Sequence, residues 1–249
     1  MKRIIIFIGI LSLVGGCTYS PSPETVKEEI KTVQPKVITF DENEGKGSTA
    51  KNFYFLFDGS GSMDQYCSGK RKIDGAKLAV NKFLNQIPED VNLGLLVFGT
   101  SGQNECTEVV PLGSNNREKF KGAINNVDAW GGTPLAEAIR IGTKKLVEQY
   151  KKQLGYGEYR LVVVTDGNAD SYHSMVQECK NIAQYPFIAL YSIGLCLDSE
   201  HALKSYALSY RDANNYKDLE KALIEVMGEI DVFDASVFDE SLFEGDTLQ

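Results

Sequence analysis

Continuous apolar runs, each long enough for one buried strand, constrain the fold of this 249-residue chain more than any other feature. The runs FYFLF, LGLLVF and LVVV contain only apolar residues and glycine, which predicts strands covered on both faces. Between them lie segments with apolar residues at helical spacing. This alternation predicts an α/β fold: a Rossmann-like, doubly wound, mostly parallel central sheet with helices on both faces. The segment TEVVPL is predicted to add one antiparallel edge strand.

The same patterns give approximate bounds for the individual elements. Strands are predicted at 52–58, 91–99, 107–112, 160–166, 186–194 and near Asn215. Helices are predicted at 72–86, 116–127, 134–150, 173–184, 200–208 and 217–230. The helix that begins at GGTPL has Thr133 at its cap and Pro134 in its first turn.

Small polar residues follow two of the predicted strands. Asp58, Ser60 and Ser62 belong to DGSGSM, directly after FYFLF, and Asp166 belongs to TDG, directly after LVVV. Thr133 lies in a third segment, GGTPL. Ligands of such sheets bind beyond the carboxyl ends of the strands. Because carboxylates and hydroxyls without His or Cys suit a hard cation, the pattern predicts one Mg²⁺ site, with Ca²⁺ or Mn²⁺ as alternatives.

The DxSxS motif, the distant Thr of GGTP and the Asp of TDG resemble the metal-ion-dependent adhesion site of von Willebrand factor A domains. The resemblance implies that Ser60, Ser62 and Thr133 bind the cation directly, with Asp58 and Asp166 close behind and acting through water. It also implies an open coordination position that a protein partner fills with an Asp or Glu carboxylate. The expected function is therefore cation-dependent protein binding, in adhesion or envelope assembly, without enzyme activity.

Two alternatives remain beside the binding function. The first is a structural scaffold whose cation only stabilises loops, since its ligands would be the same. The second is a metal-dependent phosphatase similar to the haloacid dehalogenases, with Asp58 as nucleophile; the second acid of the DxD loop of those enzymes is Ser60 here. A net charge of −8 and a pI near 5.0 give no basic footprint for nucleic acid.

The N-terminus predicts export and a lipid anchor. Lys2 and Arg3 precede a short apolar run, which is typical of a signal peptide, here over residues 1–16. The sequence VGGC resembles a bacterial lipobox and implies that Cys17 is lipidated. Thr18 is similar to the second residue of lipoproteins sent to the outer membrane. The expected location is the bacterial cell envelope, at the outer membrane if the host is Gram-negative.

Composition divides the rest of the chain into three parts. Residues 17–50, which begin with the lipidated Cys, are rich in Ser, Pro, Glu, Lys and Gly and predict a flexible tether. The segment VITF within it could instead add an edge strand or pack locally. Residues 51–231 are the predicted folded domain, which the resemblance covers. Residues 232–249 form an acidic tail with repeated Phe, predicted to be disordered or loosely packed, with partner docking as the alternative.

Four further cysteines, an even number in a chain predicted to be exported, are disulfide candidates: Cys67, Cys106, Cys179 and Cys196. Three pairings are possible. We favour Cys67 with Cys106, because both follow carboxyl-end loops of the sheet. The second bridge would then join Cys179, in a helix, to Cys196, at the end of the next strand.

Five other polar or aromatic residues near the predicted site are given minor roles. His173 and His201 are isolated from each other in the sequence and are predicted to be surface helix residues. Asp64 and Asp170 flank the metal loops and are predicted to be solvated. Trp130 directly precedes GGTP, where it could contact a partner or anchor the packing of the turn.

Overall fold

The structure is a computed structural model of the chain. It describes residues 33–40, 45–99, 106–197 and 201–228. The predicted signal peptide, the predicted lipidation site at Cys17 and the acidic tail lie outside these ranges. Within them, every helix is too short or too polar to cross a bilayer.

Eight strands are described, six in a central sheet and two in a small hairpin. In chain order they are β1 (Lys51–Asp58), β2 (Tyr66–Cys67), β3 (Lys70–Arg71), β4 (Asn92–Phe98), β5 (Cys106–Gly113), β6 (Glu158–Thr165), β7 (Ile188–Leu195) and β8 (Ser209–Ala213). The central sheet has the spatial order β5-β4-β1-β6-β7-β8, and β2 pairs with β3. All neighbours in the central sheet are parallel except β4 and β5. The predicted mostly parallel sheet with one antiparallel edge strand is confirmed.

In the described residues, five α-helices cover the two faces of the sheet. They are α1 (Lys72–Leu84), α2 (Arg117–Asn125), α3 (Leu135–Lys152), α4 (Tyr172–Ile182) and α5 (Tyr216–Gly228). Helices α1, α2 and α5 pack on one face, and α3 and α4 on the other. Two short 3₁₀ helices, Gly61–Asp64 and Ala202–Ser205, lie in connections.

Strand β1 shows why its sequence is apolar throughout. Successive side chains of a strand point to opposite faces. Phe53, Phe55 and Phe57 pack under α1, α2 and α5, while Tyr54 and Leu56 pack under α3 and α4. All five side chains are at most 1% exposed, so the strand is buried on both faces.

A buried arginine fixes the last helix to the amino end of the sheet. Arg160 on β6 is fully buried and donates to the backbone carbonyls of Val226 and Met227, at the C-terminus of α5. It also donates to the Glu158 carboxylate at 2.7 Å. Its guanidinium lies 4.8 Å from the centre of the Phe53 ring. A positive charge at a helix C-terminus is favourable, so Arg160 both caps α5 and neutralises Glu158.

One predicted helix is wrong. Of the segment predicted as a helix over 200–208, the described part contains only the 3₁₀ turn Ala202–Ser205. The backbone N–H of Leu208 already donates to Leu190 of β7 at 2.8 Å, and β8 begins at the next residue. The chain must rejoin the sheet too soon for an α-helix. The last strand accordingly lies slightly before its predicted position near Asn215.

The described end of the predicted tether lies against the domain. The Lys36 N–H donates to the Gln184 carbonyl at 2.8 Å. The ring of Phe40, in VITF, lies 5.5 Å from the ring of Tyr150 on α3. No strand occurs in residues 33–40, so VITF packs locally rather than as an edge strand.

Candidate metal centre

Three parallel strands end at the same edge of the sheet. In the register, Asp58 of β1 lies opposite Phe98 of β4, and Phe57 of β1 lies opposite Val164 of β6. The residues that follow β1 and β6 are therefore neighbours. This is the carboxyl edge, where ligands of such sheets bind.

Asp58 and Thr165 are the most buried polar residues of this edge. The Asp58 side chain is fully buried; Oδ1 accepts from the Ser60 N–H at 2.8 Å, and Oδ2 accepts from Thr165 Oγ1 at 2.5 Å. Burial raises the pKa of Asp58 to about 6, against hydrogen bonds from Ser60 and Thr165 that lower it. Both carboxylate oxygens are thus engaged by the chain, and Asp58 supports the loop that carries the two serines.

The serine hydroxyls and Asp166 form a continuous group of oxygens. Ser60 Oγ and Ser62 Oγ lie 3.0 Å apart, and Ser62 Oγ donates to Asp166 Oδ1 at 2.7 Å. Ser60 and Asp166 are buried, and Ser62 is half-buried. The ends of two strands therefore supply one cluster, as the sequence predicts.

Thr133 reaches the same cluster from the loop before α3. The oxygens of Ser62 Oγ and Thr133 Oγ1 lie 3.6 and 4.0 Å from the point that a Cβ on Gly167 would occupy. The Thr133 N–H donates to Asp170 Oδ1 at 2.9 Å, and the Thr133 carbonyl accepts from the Asp170 N–H at 3.0 Å. Asp170 is exposed, as predicted, but it also fixes the position of Thr133.

Backbone contacts hold the loops of Ser60 and Thr133 together. The Gly61 N–H donates to the Gly131 carbonyl at 3.0 Å, and the Trp130 N–H donates to the Gly59 carbonyl at 2.7 Å. The indole of Trp130 is 63% exposed. Its exposure favours partner contact over packing for this side chain.

Sequence reasoning missed a buried lysine in the cluster. Lys72, the first residue of α1, is 8% exposed, and its Nζ donates to Asp166 Oδ2 at 2.8 Å. A second contact joins Nζ to Gln65 Oε1 at 3.5 Å. The available signal was a lysine at the first position of a predicted helix, where its charge opposes the helix dipole.

The prediction that His201 is a surface helix residue is wrong. His201 is 3% exposed, and its Nε2 lies 2.7 Å from the carbonyl oxygen of Gly167, beside Asp166. Its Nδ1 accepts from the Leu203 N–H at 3.1 Å, so Nε2 carries the proton and donates to Gly167. Burial lowers the pKa of His201, which favours this neutral form. His173, by contrast, is exposed on α4, as predicted.

The favoured disulfide pairings are also wrong. The structure contains one bridge among the described residues, between Cys67 and Cys196, with their Cα atoms 6.3 Å apart. Cys106 and Cys179 are free thiols. The bridge ties the β2–β3 hairpin, directly after the serine loop, to the residue that follows β7.

The path of the hairpin explains the actual pairing. The hydroxyl of Ser68 donates to the Asn214 carbonyl at 2.9 Å, so the hairpin leans toward the β7–β8 side of the sheet. Cys106 lies on β5, at the opposite edge of the sheet. Cys179 is buried on α4, with its sulfur 3.6 Å from that of Met175. Neither position can be read from the spacing of cysteines in the sequence.

The donor atoms of the cluster fit a hard cation. Within the described residues, no group of three or more His, Cys, Asp or Glu side chains is placed to hold a metal ion, so a cation here would need hydroxyl ligands. The cluster offers oxygens only, which suit Mg²⁺, Ca²⁺ or Mn²⁺. The candidate donors are the hydroxyls of Ser60, Ser62 and Thr133, and the carboxylates of Asp58 and Asp166 lie behind them.

Comparison with known proteins shows what the part of the chain that carries this cluster is similar to. The family model of the von Willebrand factor type A domain matches residues 53–168, which contain all five predicted metal residues. The uncharacterized protein YwmD of Bacillus subtilis (strain 168) is 36% identical over 126 residues, which are 47% of this chain and 54% of that protein. The match therefore spans about half the length of that relative.

Solved structures share the fold. The pilus adhesin SpaC of Lactobacillus rhamnosus GG, in its open conformation, has a TM-score of 0.58 at 18% identity and covers 75% of this chain and 31% of its own. The manganese-loaded TRAP protein of Plasmodium vivax has a TM-score of 0.55 at 19% identity, and the match covers 70% of this chain and 72% of that one. Residues 53–168 are therefore similar to the von Willebrand factor type A domain, and the solved structures show that the chain shares their fold.

Proposed function

We propose that this chain is a membrane-anchored module that binds a protein partner through a divalent cation. Mg²⁺ is the expected cation, with Ca²⁺ and Mn²⁺ as alternatives. The observation that carries the proposal is the convergence of three hydroxyls and two carboxylates, from three separate loops, at the carboxyl edge of the sheet.

Each residue of the cluster has a distinct task in this proposal. Ser60, Ser62 and Thr133 would bind the cation through their hydroxyl oxygens. Asp58 holds the serine loop through its bond to the Ser60 N–H, and Asp166 orients the Ser62 hydroxyl. When bound, the cation supplies positive charge and a coordination position for an Asp or Glu carboxylate of the partner.

The comparisons support both parts of the proposal at the level of related proteins. SpaC is a pilus adhesin, and the TRAP structure was solved with manganese. An acidic chain with a net charge of −8 would bind an acidic group poorly without such a cation. A cation bound in the cluster would supply positive charge at the point where the acidic group binds.

Anchoring of the module rests on its N-terminal sequence. Lipidation of Cys17 would attach the chain to the bacterial envelope, at the outer membrane in a Gram-negative host, and residues 17–50 would separate the domain from the membrane. The substitution Cys17→Ser is expected to release the protein from the membrane fraction. Retention of the variant in that fraction would contradict the anchor.

The geometry of Asp58 disfavours the phosphatase alternative. A nucleophilic carboxylate needs an oxygen that can reach the substrate. Asp58 is fully buried, and both of its oxygens accept hydrogen bonds from the chain. Ser60 occupies the position of the second acid, so the proton-transfer group of that mechanism is missing.

The proposal is tested by capture of partners from envelope and host extracts in Mg²⁺ or in excess chelator. Thr133→Ala removes one proposed ligand. Thr143→Ala is the matched control, since Thr143 is also 8% exposed but donates to Ile139 within α3, away from the site. We expect wild type and Thr143→Ala to capture the same protein in Mg²⁺ only, and Thr133→Ala to lose it. Asp58→Ala, with its fold checked by circular dichroism, is expected to behave like Thr133→Ala.

Three outcomes decide between the alternatives. Equal capture in chelator, or by Thr133→Ala, would refute cation-dependent binding. Calorimetric binding of Mg²⁺ without any Mg²⁺-dependent capture would favour the scaffold. Release of phosphate from a general aryl phosphate substrate that Asp58→Ala abolishes would favour the phosphatase.

A further inference from the structure

Lys72 occupies a position that is unfavourable for a positive charge unless an anionic partner offsets the cost. It is the first residue of α1, where a positive charge opposes the helix dipole. Its side chain is 8% exposed, so it has also lost most of its hydration. Asp166 Oδ2, at 2.8 Å, is the anionic partner that offsets these costs.

Lys72 acts on the same carboxylate that orients a proposed metal ligand. Asp166 Oδ2 accepts from Lys72, and Asp166 Oδ1 accepts from Ser62 Oγ at 2.7 Å. The lysine and the serine therefore divide the two oxygens of one carboxylate. A change in the charge at Lys72 must alter how strongly Asp166 attracts a cation.

The buried charges of the site do not cancel once a divalent cation binds. Asp58 and Asp166 contribute two negative charges and Lys72 one positive charge, so a divalent cation leaves one net positive charge. Without the lysine the same loaded site would be neutral. The positive end of the dipole of α1 adds to the charge of Lys72.

The other charged side chains near the site are exposed, so they change the net charge felt at the buried site little. Arg71 is paired with Asp64 at 2.7 Å and Asp74 at 2.8 Å, and all three side chains are at least 39% exposed. Asp170 is exposed on the rim. Solvent and salt screen such charges, whereas Lys72 and its partner are buried.

We propose that Lys72 sets the ligand preference of the site: it weakens binding of the divalent cation and makes the loaded site electropositive, so that an anionic carboxylate binds in preference to water or a neutral oxygen. This inference rests on the proposed function and assigns the selectivity of that same site to one residue. The partner group is accordingly an ionised Asp or Glu side chain.

The test measures two affinities in the full chain, with Mn²⁺ alone and then with acetate as the probe. Calorimetry gives the Mn²⁺ affinity, and water-proton relaxation reports acetate that displaces water from bound Mn²⁺. Lys72→Gln removes the charge and keeps an N–H donor for Asp166. Lys77→Gln is the matched control, because Lys77 lies on the same helix and donates to the backbone carbonyl of Asn125 rather than to a residue of the cluster.

We expect Lys72→Gln to bind Mn²⁺ about tenfold more tightly and to need about tenfold more acetate for half-saturation, since one charge beside a divalent ion has an effect of this order. Lys77→Gln should match wild type. Unchanged Mn²⁺ affinity or unchanged acetate affinity in Lys72→Gln would overturn the inference. The proposed function fails separately, if wild type binds no Mn²⁺ or binds it as Thr133→Ala does.

A second variant covers the case in which Lys72→Gln does not fold without cation. Lys72→Met leaves Asp166 without any donor at that oxygen, so Mn²⁺ should raise its melting temperature more than it raises that of wild type. Refolding of either variant on addition of Mn²⁺ supports the inference, because the cation replaces the missing charge. A variant that stays unfolded in saturating Mn²⁺ contradicts it.

Discussion

The substitution Gly99→Ala is expected to displace the loops that carry the proposed metal ligands. Gly99 follows β4 and has a φ of +87°, a region that L side chains rarely adopt. A Cβ at this position would lie 2.5 Å from the carbonyl oxygen of Gly132 and 2.8 Å from the backbone N of Ser60. Both neighbours are backbone atoms of the metal loops, so neither can move without moving the proposed ligands.

The magnitude follows from two separate costs of Gly99→Ala. The positive φ costs about 1–2 kcal/mol for a residue with a Cβ. Overpacking against fixed backbone costs about 1–3 kcal/mol more. We therefore expect the free energy of unfolding to fall by about 2–5 kcal/mol, which a domain of ordinary stability survives. Cation affinity should fall by about tenfold or more, because a misplacement of ligands near 1 Å is enough for such losses.

Urea unfolding and calorimetric titration with Mg²⁺ measure the two effects. Gly69→Ala is the control for backbone strain alone, since Gly69 has a φ of +81° and nothing lies within 4 Å of the position of its Cβ. Gly122→Ala, in α2 and also in open space, should raise stability by up to about 1 kcal/mol. If Gly99→Ala loses no more stability than Gly69→Ala and binds Mg²⁺ like wild type, the reasoning about close loop contact is refuted.

Three further predictions concern pH, the disulfide and the buried arginine. Burial raises the pKa of Asp58 from 3.8 to about 6. Between these two pH values, Asp58 is protonated in the folded cation-free chain and ionised in the unfolded chain. The free energy of unfolding should therefore fall by about 3 kcal/mol between roughly pH 4 and pH 6, which Asp58→Asn should abolish in urea titrations. Cys67→Ser should lower it by about 2–5 kcal/mol through loss of the bridge to Cys196, and a reductant should then have no further effect. Arg160→Met should lower it by about 3–5 kcal/mol, because the α5 carbonyls lose their donor and Glu158 loses the nearer of its two cations. The exposed Arg140→Met should lower it by under about 1 kcal/mol, and thermal unfolding measures both.

The fold was predictable because its signals are local. FYFLF and LVVV are buried on both faces, and such strands need an apolar residue at every position. The predicted helix over 200–208 failed because the helical spacing there competes with a contact distant in sequence. Leu208 must pair with Leu190 of β7, and periodicity within the segment does not report that pairing.

The proximity of Ser60, Ser62 and Asp166 was predictable because strand ends of a parallel sheet converge, whereas their role as a metal site stays a prediction. The side chains that support them were not predictable, because their partners are far away in the sequence. Lys72 meets Asp166 across 94 residues, and Thr165 meets Asp58 across 107. His201 likewise contacts the Gly167 carbonyl, which is distant in the sequence, so its local sequence does not indicate that it is buried.

The disulfide pairing could not be predicted for the same reason, because it depends on a contact between residues far apart in the sequence. Cys67 and Cys196 are 129 residues apart, and both lie at the carboxyl edge of the sheet. So does the start of β5, which carries Cys106. Only the direction in which the β2–β3 hairpin leans selects between the two partners, and no residue pattern in the hairpin encodes that direction.

A crystal structure of the chain soaked in Mn²⁺, with anomalous scattering recorded, tests the central claim most directly. The account predicts an anomalous peak in coordination contact with the hydroxyl oxygens of Ser60, Ser62 and Thr133, and at least one ligand position held by water. Absence of a peak at this edge of the sheet, or a cation whose ligands all come from the chain, would contradict the account.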